Sequence, residues 1–282
     1  MKSALSGRTW SLHSGIKMED GMPQAELDRG YDWSDPRTFF LAPEAWGETC
    51  ELTGDDAHHL LRVLRLREGA DVRLLDGQGR EGAFRIDRCG RNQVTLRQLD
   101  VWMHPKPQSG LILAPAWTKA ARRSWFFEKS VEFGAAAVWF WQAERSQFPV
   151  PETPKETWRA QLIAGVKQCH NPWLPSLRTL PGGVRELIAA ATDKQVSQRH
   201  VLLENTLGPS RHLEAGDLAR PGLTLCVIGP EGGFAPAEAE NLKAAGFVPF
   251  SLGERVLRWE TAAVLCMGLH WWQSESPNPA TL

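Results

Sequence analysis

The second half of the chain alternates short apolar segments with longer amphipathic ones, and this alternation restricts the fold more than any other feature. The short segments after Gly110 have the length of buried β-strands. The longer ones carry helix signals, such as Pro236 at a start and Gly246 after an end. Strands that alternate with helices form a mostly parallel sheet covered on both faces, so the sequence predicts an α/β domain. The expected strands are 111–115, 137–141, 199–204, 223–228 and 247–252, and the expected helices are 119–133, 155–169, 236–245 and 260–272.

The first half has shorter strands around one helical stretch. The pattern over 55–66 is helical, with apolar residues recurring on one face. Segments 71–76 and 81–87 alternate in polarity on either side of a Gly-Gln-Gly turn, which predicts a β-hairpin, and 92–97 adds a further strand. Several short strands around one helix predict a small β-barrel.

These patterns divide the chain into four parts. The first residues are polar and lack a clear period, and a Pro-rich segment follows the barrel. We expect a polar, flexible extension over residues 1–36, the barrel over 37–105, the α/β domain over 110–273 and a flexible tail over 274–282.

Composition excludes several classes of protein. The 282 residues are 42% hydrophobic and 23% charged, as in an ordinary globular protein. Apolar runs stay shorter than the roughly 18–20 residues that span a bilayer, and the N-terminus lacks the apolar core of a secretory signal. The five cysteines form no C-x-x-C pair, which argues against a zinc site or a disulfide framework. We therefore expect a cytoplasmic protein with no membrane segment and no metal.

Charge is distributed unevenly. The formal net charge is −1, which by itself does not indicate a nucleic-acid-binding protein. Residues 62–97, however, contain nine arginines against five acidic residues. A basic region of this kind in a neutral chain suggests an RNA-binding surface, although a solvated helix face would have the same composition.

One glycine-rich loop stands out as a candidate binding site. Residues Ile228–Phe234 read Ile-Gly-Pro-Glu-Gly-Gly-Phe, directly after an apolar strand and before a helix. Glycines there allow a ligand to approach the backbone closely, and the helix start favours anions or polar edges. The loop is not a dinucleotide-binding or P-loop motif. Taken alone, such a loop is more often a plain strand-to-helix turn than a binding site.

A set of ordered motifs resembles one enzyme family. The loop at Ile228–Phe234, together with Ser251–Gly253 and Val256–Ala262, is similar to the motifs of the 16S ribosomal RNA uridine-N3 methyltransferases of the SPOUT class. The similarity covers roughly residues 37–272. Further matching segments, in the family's order, are His59–Arg65, Lys119, Glu132–Gly134, Glu144–Ser146 and Gln168–Cys169.

The resemblance implies a fold, a cofactor and partners. The expected fold is a small PUA-like β-barrel followed by a SPOUT-type α/β domain with a deep trefoil knot, which assembles as a homodimer. The expected cofactor is S-adenosylmethionine, and the expected partner is the 16S rRNA of the small ribosomal subunit. Backbone groups would read the adenine edge, and aliphatic side chains would cover its faces. The cofactor-binding residues carried over are Leu203, Glu204, Ile228, Gly229, Pro230, Glu231, Gly232, Gly233, Leu252, Gly253, Val256 and Leu257.

The reaction implies further roles. Arg258 would stabilise negative charge that develops on the uracil oxygens, and Glu231 or Glu260 would accept the N3 proton. Either carboxylate could instead brace its own loop or helix start. The expected RNA contacts are His58, Arg62, Arg65, Lys119, Arg122, Arg123 and Arg145.

The chain departs from the family at two positions. Asn171 stands where the family usually has arginine, and Trp259 stands where it usually has threonine. Three alternatives therefore stay open: methylation of another base or RNA, an RNA-binding relative without activity, and a nucleotide-dependent dehydrogenase. The absence of a dinucleotide-binding motif argues against the last.

Overall fold

The computed structural model describes residues 37–118, 122–203 and 211–275. The N-terminal region of this part is a five-stranded sheet with the order β1-β3-β4-β5-β2, curled into half a barrel. Strand β1 runs parallel to β3, and the other neighbours are antiparallel. The strands are β1 (Arg37–Phe40), β2 (Thr49–Thr53), β3 (Asp71–Leu75), β4 (Arg80–Cys89) and β5 (Gln93–Met103).

The predicted hairpin is confirmed. Strands β3 and β4 pair from Asp71 opposite Arg85 to Leu75 opposite Glu81. The intervening glycines, Gly77 and Gly79, have φ angles of 75° and 94°. At such left-handed φ values the Cβ of any other residue would crowd the backbone, and glycine has no Cβ. The alternation of polar and apolar residues and the two glycines of the turn were therefore sufficient to predict this hairpin.

The single helix predicted over 55–66 is wrong in detail. A short α-helix, α1 (Gly54–His58), is followed by a π-helix over His59–Val63. The Leu64 N–H donates to the His59 carbonyl at 3.0 Å, five residues back. The wider turn allows the consecutive Leu60 and Leu61 to be buried in the barrel core.

The C-terminal region is a seven-stranded sheet whose described pairings are all parallel, which confirms the predicted α/β domain. Its order is β10-β12-β9-β11-β6-β7-β8. The strands are β6 (Ser109–Pro115), β7 (Ala137–Trp141), β8 (Ser176–Leu180), β9 (Gln198–Leu202), β10 (Arg211–His212), β11 (Gly222–Ile228) and β12 (Val248–Ser251). The helices are α2 (Arg123–Glu132), α3 (Glu156–Cys169), α4 (Gly183–Asp193), α5 (Ala215–Leu218), α6 (Pro236–Ala244) and α7 (Trp259–Glu275).

Helices cover both faces of this sheet. Along β6, Leu111 and Leu113 pack into one core with residues of α2, α3 and α7. The alternate residues Ile112 and Ala114 pack into a second core with residues of α4 and α6. Successive side chains of a strand point to opposite faces, so a strand covered on both sides, such as β7, is apolar throughout.

Four elements of this domain were not predicted: β8, β10, α4 and α5. Strand β8 lies at the edge of the sheet, and its side chains are partly exposed, so its sequence lacks a continuous apolar run. Helix α4 is rich in alanine, and helix α5 is four residues long. Strand β10 and helix α5 are too short to show a period. Helix α4, by contrast, has apolar residues at the helical spacing, Val184, Leu187, Ile188 and Ala191, so its pattern was present in the sequence and was missed.

The two regions meet at the β3–β4 turn. The Gly79 N–H donates to the Pro172 carbonyl, and the Leu174 N–H donates to the Gly77 carbonyl, each at 2.9 Å. A Cβ on Gly79 would lie 2.5 Å from the ring of Trp173. Glycine is therefore required there by a close approach as well as by its φ angle.

Asn171 shapes the loop that makes this contact. Its side-chain amide donates to the Val131 carbonyl at 2.8 Å, and its Oδ1 accepts from the Trp173 N–H at 2.9 Å. Asn171 thus ties the end of α2 to the segment that docks on the barrel. The resemblance predicts an arginine at this position, and the asparagine that is present has a structural role.

No helix of the described segments is both long and apolar enough to cross a bilayer. The five cysteines are free thiols. Across those same segments, no group of three metal-ligating side chains comes together. The predicted extension over 1–36 and most of the predicted tail lie outside the described residues, and α7 continues to Glu275, past the predicted end of the domain.

Candidate functional site

A cavity of about 420 Å³ lies where the carboxyl ends of β9, β11 and β12 meet. Ligands of parallel α/β sheets bind at this edge because the strand-end loops converge there. Every predicted cofactor residue that the structure describes lines this cavity, whereas Glu204 lies outside the described residues. The lining includes Leu203, Ile228, Gly229, Pro230, Glu231, Gly232, Gly233, Leu252, Gly253, Val256 and Leu257.

The glycine-rich loop after β11 forms one wall. A Cβ on Gly229 would lie 2.8 Å from the Phe234 ring, so this position admits only glycine without a shift of the ring. The Gly233 N–H donates to the Pro230 carbonyl at 2.8 Å, and its φ of 69° closes the turn. A Cβ on Gly232 would have Arg145 as its nearest neighbour, at 3.5 Å. The loop therefore presents bare backbone to the cavity.

Trp141 anchors the base of this loop. Its ring stacks on Phe234 with centroids 5.8 Å apart, and its Nε1 donates to the Ala114 carbonyl at 3.0 Å. Both aromatic residues are buried. The backbone presented to the cavity is thus held on a packed core, as binding sites in α/β proteins commonly are.

The remaining walls are mainly apolar. Leu203 and Ile228 are almost fully buried, and Leu257 packs against the core that contains Ile228. Trp259 also lines the cavity, with its ring edge-on to Phe126 at a centroid distance of 5.1 Å. The resemblance predicts a threonine at position 259. The tryptophan that is present places a large aromatic side chain beside Arg258. Flat apolar walls with a backbone edge suit a purine.

Among the residues that the structure describes, four charged side chains line the cavity: Arg145, Glu231, Arg255 and Arg258. The Glu231 Oε1 accepts from the Thr118 hydroxyl at 3.3 Å, and the Arg145 Nη1 donates to the Gly232 carbonyl at 2.9 Å. Arg255 was not predicted, although it lies within the predicted Leu252–Leu257 segment. The prediction for that segment named its glycine and aliphatic residues and did not name this arginine.

Glu260 occupies a different position from Glu231. It is buried in the first turn of α7 and does not line the cavity. A carboxylate at a helix start is favourable in itself. Arg258 and Glu231 thus both line the cavity, whereas Glu260 is buried and does not line it.

The predicted RNA contacts fall into separate places. His58, Arg62, Arg65 and Arg122 are exposed, and Lys119 lies outside the described residues. His58 lines a second, open cavity of about 570 Å³ between the half-barrel and α3, beside the ion pair of Lys167 with Asp56. Of the set, Arg145 alone lines the main cavity among the described residues.

Arg123 has a structural environment instead. Its guanidinium lies over the Trp117 ring, 4.0 Å from the centroid, and donates to the Thr118 carbonyl. Burial lowers the pKa of the Arg123 guanidinium from its usual range. An RNA contact by Arg123 stays a prediction, and this geometry favours a role in holding the loop after β6.

Family models match both regions of the chain. One described as an RNA methyltransferase domain matches residues 104–271, and one described as an RNA methyltransferase PUA domain matches residues 52–99. The chain therefore belongs to this family of RNA methyltransferases.

Individual relatives narrow the resemblance. Ribosomal RNA small subunit methyltransferase E of Mycobacterium bovis is 31% identical over 232 residues, which cover 79% of this chain and 86% of that protein. A crystal structure of ribosomal RNA small subunit methyltransferase E from Neisseria gonorrhoeae, bound to S-adenosyl methionine, is 26% identical with a TM-score of 0.68 and covers 83% of this chain and 95% of that one. A Legionella pneumophila methyltransferase in complex with the same cofactor is 27% identical with a TM-score of 0.70 and covers 85% of this chain and 98% of that one.

Proposed function

We propose that the protein methylates uridine N3 in 16S rRNA of the small ribosomal subunit, with S-adenosylmethionine as methyl donor. The observation that carries this proposal is the cavity itself, which combines a bare-backbone loop, apolar walls and Arg258 at one place. The names of the relatives support small-subunit rRNA as the substrate class, and two similar structures contain the cofactor. The position of methylation follows from the resemblance of the motifs.

The cavity fits the cofactor. Its volume of about 420 Å³ lies in the range of small-molecule sites. A Cβ on Gly233 or Gly253 would meet no atom within 4 Å, so space remains beside the backbone at both loops. Ile228, Leu203 and Leu257 would cover the adenine faces, while backbone groups of the loops would bind its edge.

The chain's own residues would supply orientation and charge. The bound cofactor contributes an electrophilic methyl group on its sulfonium sulfur. Alignment of the uridine N3 with this group would provide much of the acceleration. Arg258 would stabilise negative charge on the uracil oxygens as the N3 proton leaves. Glu231 is favoured over Glu260 as the acceptor of that proton, because Glu231 lines the cavity and Glu260 does not.

The resemblance further suggests a cytoplasmic homodimer with a trefoil knot. Support for the dimer comes from α7, where Leu265 and Trp272 are 40% and 66% exposed on one face. The trefoil knot follows from the resemblance of the motifs alone.

Nucleoside analysis tests the proposed function. Small subunits from a strain that lacks this enzyme would be incubated with the protein and labelled methyl donor, and the rRNA would then be digested to nucleosides. Label in 3-methyluridine is the expected result. Label in another nucleoside would assign the enzyme to another base. Cofactor binding without any transfer to rRNA or to other RNA would indicate an inactive relative.

A further inference from the structure

A buried carboxylate joins two loops at the main cavity. Glu238, in the first turn of α6, is 6% exposed. Its Oε2 accepts from the Ala235 N–H at 2.9 Å, and its Oε1 accepts from the Glu144 N–H at 2.8 Å. The first bond stabilises the start of its own helix. The second connects that helix to a loop 94 residues away in sequence.

The second loop carries Arg145. It follows β7 and closes as a tight turn, with the Ser146 N–H donating to the Ala143 carbonyl at 3.0 Å. Arg145 in turn donates from Nη1 to the Gly232 carbonyl at 2.9 Å. Glu238 therefore fixes the backbone of this turn, and the side chain that the turn presents lies against the glycine-rich loop.

The charge of Arg145 indicates which ligand it faces. A guanidinium has five N–H donors, so the bond to Gly232 leaves donors for a ligand at the cavity edge. S-adenosylmethionine has one carboxylate beside a sulfonium and an ammonium group, so its net charge is positive, whereas RNA carries a phosphate at each nucleotide. An arginine held in one orientation suits a phosphate, which it binds by charge-assisted hydrogen bonds.

We propose that Glu238 is a positioning residue that holds Arg145 for a phosphate of the target RNA strand. This inference rests on the proposed function and deepens it, since it names the group that places the RNA backbone at the cavity. Glu238 itself touches neither RNA nor cofactor in this scheme. It acts through the Glu144 N–H and the turn that follows.

A double-mutant cycle tests the proposal. Glu238→Gln keeps one acceptor and replaces the other with an amide that cannot accept, so the turn should loosen. We expect the KM for small subunits to rise about tenfold, with kcat and the cofactor Kd within about twofold of the wild type. Arg145→Ala should give the same pattern. If Glu238 acts through Arg145, the double variant should bind subunits no more weakly than Arg145→Ala alone.

Salt dependence separates positioning from a merely structural effect. Loss of one phosphate contact should lower the slope of log Kd for rRNA against log salt by about 0.7 in both single variants. The matched control is Glu240→Gln, an exposed residue on the same helix, which should leave slope and KM unchanged. Independent, multiplying losses in the cycle, or an unchanged salt slope in Glu238→Gln, would overturn the proposal.

A second variant and a second measurement cover the cases in which Glu238→Gln does not fold or the wild type transfers no methyl group. If Glu238→Gln does not fold, Glu238→Asp keeps the charge and shortens the side chain by one methylene, which also withdraws it from the Glu144 N–H. If wild-type protein transfers no methyl group to uridine, the proposed function fails, and the cycle is then measured as rRNA affinity by filter binding. A wild-type enzyme that methylates uridine while the cycle shows independent losses would refute the role of Glu238 alone.

Discussion

Arg258 is the residue on which the proposed chemistry depends most directly. It lines the cavity next to Trp259, and its proposed partner is charge that forms only during methyl transfer. Arg258→Ala should therefore lower kcat by about 10²–10³-fold and change the cofactor Kd little. Arg185, an exposed arginine of α4, provides the control, and Arg185→Ala should change neither quantity. Equal losses in kcat and cofactor affinity would instead place Arg258 in the cofactor pocket.

A second prediction concerns a buried histidine of α7. His270 is 5% exposed, its Nε2 has no hydrogen-bond partner among the described residues, and burial lowers its pKa to about 4. The unfolded chain binds this proton near pH 6.5, so its contribution to stability is present above pH 6.5 and is lost as the pH falls toward 4. The loss amounts to about 3 kcal/mol at most.

The variant His270→Leu removes this titration. Its free energy of unfolding should fall less than that of the wild type between pH 7 and pH 4.5, as measured by urea denaturation at both values. His212, an exposed histidine of β10, supplies the comparison through His212→Leu. An identical pH dependence in wild type and His270→Leu would contradict the prediction, because it would show that His270 takes up its proton over the same pH range in the folded and the unfolded chain.

The residue scale also shows what the sequence could not reveal. Leu203, Gly232 and Leu257 were expected from the resemblance of the motifs, and all three line the cavity. Glu238 was not predicted, because a glutamate three residues into a helix looks like an ordinary capping residue. Its contact with Glu144 depends on tertiary structure and leaves no local pattern.

Among the elements, the β3–β4 turn allows a prediction about stability, because two of the glycines in the half-barrel differ in their surroundings. Gly79→Ala combines a left-handed φ of 94° with a Cβ 2.5 Å from Trp173, whereas Gly69→Ala has a similar φ of 87° and open space around its Cβ. Both variants should lose stability from backbone strain. Gly79→Ala should lose about 1–3 kcal/mol more, because the Trp173 contact must also shift. Chemical denaturation measures the free energy of unfolding of both variants. Equal losses of stability would contradict the prediction, because they would show that the Trp173 ring moves aside at little cost.

At this scale the sequence predicted what repeats locally and missed what tertiary packing decides. Strands β6, β7 and β11 are buried on both faces, so their apolar runs were conspicuous. Residues His59–Val63 have an α-helical period, and the π-helix arises because two consecutive leucines are drawn into one core. Strand β8 is partly exposed at a sheet edge and was therefore overlooked.

The whole molecule is expected to work as a homodimer, and α7 provides the test. Leu265 and Trp272 are exposed seven residues apart, which puts them on the same face of the helix. If this face is the interface, Leu265→Glu should shift the protein from dimer to monomer in analytical ultracentrifugation by placing a charge at a desolvated contact. Gln273→Glu adds the same charge to an exposed polar position of the same helix and should leave the dimer intact. A wild-type monomer at micromolar concentration would contradict the prediction.

Domain order was predictable at this scale, whereas the joint between the regions was not. The change from alternating strands to strand–helix repeats near Gly110 separated two architectures, and each is present. The contacts between Gly79 and Pro172, and between Asp56 and Lys167, join residues about a hundred positions apart. Such pairs depend on how complete surfaces fit together, which no local period encodes.

The tryptophan in the cavity wall also gives the protein an internal optical reporter. Indole emission changes when water next to the ring is replaced by an apolar or charged group. A nucleoside that enters the cavity would contact Trp259, so its arrival should alter the intrinsic fluorescence. The chain contains thirteen tryptophans, and subtraction of the signal from a Trp259→Phe variant would isolate this one. Ligand titrations could then be followed on unlabelled protein, before any methyl group is transferred.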